Sequence, residues 1–281
     1  MGPTFVLMLR EGLEASLIVG ILLAYLVAIG RKDQAINVWA GVGAAVLVSI
    51  AAGAVLFVTA SKFEGVAEET FEGVTSLVAV GALTWMIFWM RRNAINIKRS
   101  LQQSVDEALR SPGRLGLVMI AFVMVVREGI ESALFLFATF RQVGTGAGTL
   151  GAIAGLGTAV VLGAAIYQGG LRLNLSAFFR ITGIILLVVA AGLAAHGVHE
   201  LIEAGLFPSG IDHVWAWTSF LPDDSGLGGL LKSLIGYNAD PALTEVVAWV
   251  GYLLITGFFF FKRPVSSKLS VATQQQQLSS D

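Results

Sequence analysis

The sequence lacks cysteine and has few charged residues, and each shortage excludes a class of protein. Without cysteine among its 281 residues, the chain has no disulfides, thiolate metal sites or cysteine redox chemistry. Charged residues make up only 13%, about half of their share in a soluble domain. The formal net charge of −1 says nothing about nucleic acid, but no basic stripe occurs, so we expect no nucleic-acid partner. No phosphate-binding loop is present either, and we do not expect an enzyme.

Apolar residues take the place of the missing charges. They make up 56% of the chain, the mean hydropathy is +0.78, and apolar runs of membrane-spanning length recur. The sequence therefore predicts an all-α integral membrane protein that lies in the lipid bilayer. It predicts seven transmembrane helices, near 3–29, 36–60, 69–90, 115–140, 150–169, 178–204 and 243–261.

Lysine and arginine are concentrated in alternate loops. The loop 91–114 contains six of them, whereas the opposite set of loops holds only Lys62, Arg141 and Lys232. Because cytoplasmic loops carry the excess of lysine and arginine, we expect the amino terminus outside and the carboxyl terminus in the cytoplasm. The chain is predicted to cross its membrane several times.

Two loops contain more than a simple connection. We expect a short surface helix near 101–109 within the first long loop. The loop 207–241 is rich in aromatic residues and glycine, which suits either a partly ordered cap or an interfacial aromatic belt. Because the belt explains the same residues more simply, it is the interpretation we favour.

One charged pentapeptide occurs twice inside apolar segments, as Arg-Glu-Gly-Leu-Glu at 10–14 (the first motif) and Arg-Glu-Gly-Ile-Glu at 127–131 (the second motif). A charge at the centre of a membrane helix disfavours insertion by roughly 2.5–3.5 kcal/mol. Spacings of three and four residues place the charges of each motif on one side of a helix, and the central glycine permits close helix approach or a bulky ligand. The candidate metal ligands are the motif glutamates, with the arginines as supporting charges: Glu11, Glu14, Glu128 and Glu131, with Arg10 and Arg127.

The chain also reads as an inverted repeat. The motifs lie 117 residues apart, and segment 40–47 resembles 154–161 at a similar offset. Two three-helix units of opposite direction would bring both motifs to one depth near the midplane. The predicted organisation is a permease domain at 1–264 and a flexible cytoplasmic tail at 265–281. Within the domain we expect repeat A at about 1–92, repeat B at about 115–205 and helix 7 at about 243–261.

The motif charges leave three interpretations open. Four carboxylates and two guanidinium groups carry a nominal charge of −2, which attracts a multivalent cation and favours hard oxygen coordination. The site then serves permeation of a metal cation. Alternatively the chain transports another divalent metal or exchanges protons for a solute. In the third interpretation the arginines and glutamates are structural pairs in a protein that transports nothing.

Arg-Glu-x-x-Glu in the first and fourth of seven predicted membrane helices resembles the oxidase-dependent iron transporter family, which includes the high-affinity iron permeases of fungi and the bacterial EfeU-like permeases. The resemblance implies uptake of iron, ferric or ferrous, across the cytoplasmic membrane, with the motif glutamates as ligands. Iron is then the transported substrate, and no cofactor is implied. The resemblance also implies an oxidase or a periplasmic or extracellular iron-binding protein as partner.

Two further clusters lie at the predicted outer face. Acidic residues at the start of helix 3 either concentrate cations at an entrance or form an exposed acidic face. The deepest of them, Glu72, is the best candidate for a second metal position. Near the end of helix 6, imidazoles and carboxylates share one helical face, as in transition-metal sites or in an amphipathic helix end. The secondary metal candidates are Glu68, Glu69, Glu72, His196, His199, Glu200 and Glu203.

Overall fold

The computed structural model describes residues 1–93, 97–110, 115–168, 174–222 and 226–262. These residues form nine α-helices and one short 3₁₀ turn, and they contain no strand. The predicted tail at 265–281 lies outside them. The helices are α1 (Gly2–Ala28), α2 (Ala35–Ala60), α3 (Val66–Asn93), α4 (Ile97–Arg110), α5 (Leu115–Val143), α6 (Thr145–Tyr167), α7 (Leu175–Glu203), α8 (Gly226–Ile235) and α9 (Leu243–Phe261).

Six of the described helices are long and apolar enough to cross a membrane: α1, α2, α3, α6, α7 and α9. This confirms the predicted all-helical membrane class. Helix α5 has 29 residues but is not among the six, because every 18-residue stretch within it includes Arg127, Glu128 and Glu131. A seven-span architecture, its repeat and its orientation therefore stay predictions.

The long helices pack in reciprocal pairs. Helix α1 lies along α6, α2 lies along α5, and α3 lies along α7, while α1 also contacts α5. Glycines allow the first two pairs to approach closely. A β-carbon at Gly155 of α6 would overlap the α1 backbone at Phe5, and one at Gly41 of α2 would overlap the α5 backbone at Val118. Packing through small residues is how membrane helices bring their backbones together.

Helix α6 begins at Thr145, five residues before the predicted start. Gly144 is the single residue between α5 and α6, and its φ of 83° is a left-handed conformation that glycine adopts without strain. The glycine-rich first turns of α6 have low helix propensity. They are helical because Gly148 packs against the Phe140 ring of α5, so tertiary contact outweighs local preference.

The predicted short surface helix at 101–109 is part of α4. Its apolar side is not free, since Leu101 and Val105 are buried together with Leu22 and Leu26 of α1. Tyr25 on α1 donates its hydroxyl hydrogen bond to Asp106 at 2.7 Å. Helix α4 therefore lies at the surface of the bundle with its apolar side packed against α1, while Gln103 and Arg110 stay exposed.

The loop 207–241 is a folded segment that contains α8. The Trp215 indole N–H donates to the Asn238 carbonyl at 3.1 Å, and the Trp217 backbone N–H donates to Ala239 at 2.8 Å. Trp217 and Phe220 remain exposed, as an aromatic belt requires. An aromatic belt alone does not describe this segment, because these hydrogen bonds join the beginning of the segment to its end.

Candidate metal sites

The first motif lies on α1 and is almost wholly buried. Arg10, Glu11 and Glu14 are 1%, 2% and 3% exposed. The four-residue spacing places Arg10 beside Glu14, with Nε 3.1 Å from Oε1. This contact has the distance of an ion pair but not the geometry of a hydrogen bond. The Arg10 charge is therefore neutralised by Glu14 rather than by Glu11.

The second motif lies on α5 and uses its arginine differently. Arg127 donates through Nη2 and Nε to Oε1 of Glu128 at 2.7 and 3.1 Å, and its Nε lies 3.5 Å from Glu131. Its guanidinium carbon lies 4.8 Å from the centre of the Trp89 ring on α3. The Arg127 side chain is 34% exposed, whereas that of Glu128 is 3% exposed. The arginine thus stands at the edge of the site and its glutamates lie inside.

Three motif glutamates meet where α1 contacts α5. One carboxylate oxygen from each of Glu11, Glu128 and Glu131 lies within 4.8 Å of the others, and we call these residues the three-glutamate group. Both oxygens of Glu11 and of Glu14, and one oxygen each of Glu128 and Glu131, are buried without a hydrogen-bond partner among the described residues. Such oxygens are costly in an apolar interior unless a proton or a cation compensates them. A cation with metal–oxygen distances of roughly 2.0–2.6 Å fits between oxygens so spaced.

Glu14 lies outside this group. Its carboxylate faces Arg10, one turn along α1 from Glu11. Of the four predicted ligands, the structure brings together the other three, while the Arg10–Glu14 pair is buried beside them.

The motif glycines hold the two helices in place. A β-carbon at Gly12 would lie 2.7 Å from the Ala159 β-carbon of α6, and one at Gly129 would overlap Ser49 of α2. Of the two uses considered for these glycines, close helix approach describes the structure. The side of each helix that carries the motif glycine faces a partner helix. Successive residues are rotated by about 100° around the helix axis, so the glutamate next to each glycine faces the contact between α1 and α5.

A second group joins the two secondary clusters, because α3 packs along α7. Ligand atoms of Glu72 on α3 and of His196 and Glu200 on α7 lie within 4.8 Å of one another, and we call them the Glu–His–Glu group. The imidazole Nε2 of His196 is buried without a hydrogen-bond partner in the described residues. Its Nδ1 lies 3.6 Å from Oε1 of Glu200. The group therefore offers two carboxylates and one imidazole, a ligand set for borderline transition metals.

The remaining acidic candidates on α3 are not in this group. Nη1 of Arg141 on α5 lies 2.7 Å from Glu72 and 3.2 Å from Glu68, so Glu68 shares this arginine. Glu69 has one buried carboxylate oxygen without a hydrogen-bond partner among the described residues. These residues surround the Glu–His–Glu group without entering it.

His199 and Glu203 form a separate network. Nδ1 of His199 lies 3.0 Å from Glu245 of α9, and its Nε2 lies 3.4 Å from Glu203. Glu245 also accepts hydrogen bonds from the Asn238 side chain and the Ala242 backbone N–H. His199 is thus engaged in linking α7 to α9.

Sequence reasoning missed Arg141, Glu245 and Trp89. Arg141 reads as one of a few cations in a loop, and Glu245 reads as a boundary marker at the start of a helix. Trp89 reads as an interfacial anchor or a packing residue, and its contact with Arg127 is what the sequence does not indicate. An isolated charge in or beside an apolar helix was the available signal for the two charged residues, since such a charge usually has a partner.

The comparisons with known proteins give the family of this chain. Residues 1–274 match the sequence pattern of the iron permease FTR1 family. The chain belongs to this family. It is therefore a multi-pass membrane permease rather than an enzyme, with iron as a transported substrate rather than a cofactor. The predicted resemblance to the iron transporter family is confirmed.

Similar proteins cover most of the chain. The ferrous iron permease EfeU of Escherichia coli O6:K15:H31 (strain 536 / UPEC) is 43% identical over 253 residues, which is 89% of this chain and 91% of that protein. The ferrous iron permease EfeU of Yersinia pestis is 41% identical over 266 residues, or 94% of each chain. No solved structure matches.

Proposed function

We propose that this chain is a ferrous iron uptake permease of the cytoplasmic membrane, in which the three-glutamate group holds the cation midway across. The observation that carries the proposal is the set of buried, unpartnered carboxylate oxygens on Glu11, Glu128 and Glu131. An ion pair with Arg10 compensates the charge of Glu14, whereas Glu11 has no ion-pair partner among the described residues. The relatives named as ferrous iron permeases favour the divalent ion.

The charges of the site favour a cation. Arg10 and Glu14 neutralise each other, and Arg127 offsets one of the other three carboxylates, which leaves a formal charge of −2. Ferrous iron neutralises that charge and supplies the missing contacts of the oxygens. The arginines cannot bind a cation, and in this proposal they hold the glutamates in position.

Two apolar clusters enclose the three-glutamate group. Leu7 and Met8 lie one turn before Glu11 and are buried with residues of α3, α5 and α7. Ile18 and Leu22 lie beyond it on α1 and are buried with residues of α4 and α5. We infer that this conformation is occluded, and that transport requires each cluster to part in turn.

The reciprocal packing of α1 with α6 and α2 with α5 supports the predicted inverted repeat. A two-fold rotation that exchanges the two three-helix units maps the pair α1–α6 onto the pair α5–α2. The contact between α1 and α5 then lies on the rotation axis. Binding sites of such transporters lie at this axis. Rocking of one unit against the other is the motion we infer.

Radioactive iron uptake by iron-starved cells that lack their own permeases tests the proposal. We expect the unchanged chain to accumulate iron supplied with ascorbate faster than iron supplied as ferric citrate. Asp33→Asn is the matched control, since Asp33 is an exposed carboxylate outside the site. Normal uptake by a Glu128→Gln protein that reaches the membrane would remove the three-glutamate group from the pathway. Preferential competition by manganese or zinc would reassign the cargo to another divalent metal.

A further inference from the structure

We propose that Glu72, His196 and Glu200 form a second metal-binding site, which takes borderline divalent cations such as Fe²⁺, Co²⁺ or Zn²⁺, and that Arg141 competes with the metal for Glu72. The site is separate from the three-glutamate group. It is a binding site whether or not the chain transports iron, and only its place on the uptake path rests on the proposed function.

The ligands come from two helices and are held before any metal arrives. Glu72 is 7% exposed, and His196 and Glu200 are partly buried one turn apart on α7. Gly73 and Gly197 let α3 and α7 approach closely, since a β-carbon at Gly73 would lie 2.9 Å from the Gly197 carbonyl oxygen. The glycine next to Glu72 and the glycine next to His196 therefore set the distance between the ligands.

The histidine decides the class of cation. Among the described residues Nε2 of His196 has no hydrogen-bond partner, and its Nδ1 is 3.6 Å from Glu200, so its ring nitrogens are not engaged as those of His199 are. Imidazole nitrogen suits iron, cobalt, nickel and zinc, whereas calcium and magnesium prefer oxygen alone. The site is thus more selective than a group made only of carboxylates.

The positively charged side chain of Arg141 lies beside the site. Its Nη1 lies 2.7 Å from Glu72, and its guanidinium carbon lies 5.8 Å from the centre of the Phe137 ring. A metal ion that binds the same oxygen of Glu72 must displace this contact, and one on the other oxygen is repelled by the guanidinium charge. The released guanidinium can stay on the Phe137 ring, because a cation is attracted to an aromatic face.

Helix α5 relates this site to the first. Arg141 follows Glu131 by ten residues, or roughly 15 Å of helix rise. Phe137 lies between them, is 1% exposed, and packs edge-on against Phe57 and Phe71. In the predicted orientation, the Glu–His–Glu site lies on the outer side of this aromatic contact and meets the incoming ion first.

Cobalt titration of the purified chain in nanodiscs tests the site, because Co²⁺ reports its ligands through visible absorption. The background is the triple variant Glu11→Gln, Glu128→Gln, Glu131→Gln, which removes the three-glutamate group. We expect this background to retain one bound Co²⁺. Adding His196→Asn should weaken binding by about 10- to 100-fold and shift the absorption bands, as expected for loss of a tuned metal site.

Two substitutions serve as matched controls. His213→Asn removes a histidine paired with Asp240 away from the group, and Glu203→Gln removes a carboxylate one turn from Glu200. Both should leave affinity and absorption unchanged. A folded triple variant that binds no Co²⁺, or an His196→Asn variant that binds it as before, overturns the site.

Arg141→Gln tests the competition. We expect Co²⁺ to bind about two- to fivefold more tightly, as suits removal of a partly exposed ion pair. The Arg141→Lys variant keeps the charge and should bind Co²⁺ with the same affinity as the protein that has arginine at this position. Equal affinity of Arg141→Gln and Arg141→Lys overturns the role of Arg141. Cobalt retention in the triple variant together with absent iron uptake by the unchanged chain would instead reject only the proposed function.

Discussion

The two motifs have nearly the same sequence but different surroundings. On α1 the arginine is buried and pairs with the glutamate four residues later, so Glu11 has no ion-pair partner among the described residues. On α5 the arginine is half-exposed, stacks on Trp89 and contacts both glutamates. A duplicated motif therefore makes one asymmetric group, to which α1 contributes one glutamate and α5 contributes two.

This difference predicts different roles for the arginines, and the largest effect concerns stability. Arg10→Gln leaves Glu14 as a buried, unpaired charge, and we expect it to cost about 3–5 kcal/mol of stability. Arg127→Gln should cost about 1 kcal/mol or less, since Arg127 is partly exposed and screened. Thermal unfolding of the purified variants measures both. Equal losses at the two arginines would contradict the asymmetry.

A double variant shows whether the buried pair is only structural. Arg10→Gln combined with Glu14→Gln removes both charges, and we expect it to recover most of the stability lost in Arg10→Gln. It should also retain measurable iron uptake. Complete loss of uptake in a stable double variant would make Glu14 a ligand.

The second prediction separates Glu11 from Glu14 by transport. Glu11→Gln removes one of three charged ligands, and a loss of roughly 3 kcal/mol corresponds to about 100-fold slower initial iron uptake. The control is the Arg10→Gln, Glu14→Gln double variant, which changes equally buried residues of the same helix. Uptake rates are compared per molecule at the membrane. The assignment fails if Glu11→Gln and the control transport equally well.

The third prediction concerns the glycines, where the two motifs behave alike. Gly12→Ala and Gly129→Ala each force a methyl group against a neighbouring helix, and we expect a cost of about 1–3 kcal/mol. Gly43→Ala is the control, since its β-carbon would meet nothing within 4 Å. Unfolding temperatures measure the cost. Unchanged stability of both motif variants would mean that the helices are not held by these contacts.

The smallest effect is at Trp89. Trp89→Leu removes the ring beneath Arg127, a contact worth about 0.5–1 kcal/mol at an exposed site. We expect the half-saturating iron concentration for uptake to change by about two- to fivefold. Trp85→Leu is the control, because Trp85 lies one turn away on α3 and stacks on Trp89 without contacting the motif arginine. Identical effects of the two changes would indicate a general packing role.

Part of this molecule was predictable because its signals are local. Helix lengths follow from apolar runs, and α9 begins and ends at the predicted residues. The start of α6 was missed because its glycines become helical only through contact with α5. The Glu–His–Glu group was predicted as two clusters, since nothing local says that Glu72 on α3 faces His196 on α7.

The sequence by itself determined the helical membrane class, the family and the identity of the motif charges. Those properties depend on hydropathy and on residue spacing within one helix, which neighbouring helices do not alter. Only the tertiary structure decided which charges meet. Spacing along α1 puts Glu11 and Glu14 on one side, but contacts at Gly12 and Gly129 set the rotation of α1 and α5. That rotation brings Glu11 to Glu128 and Glu131, while Glu14 keeps the contact with Arg10 that the spacing within α1 gives it.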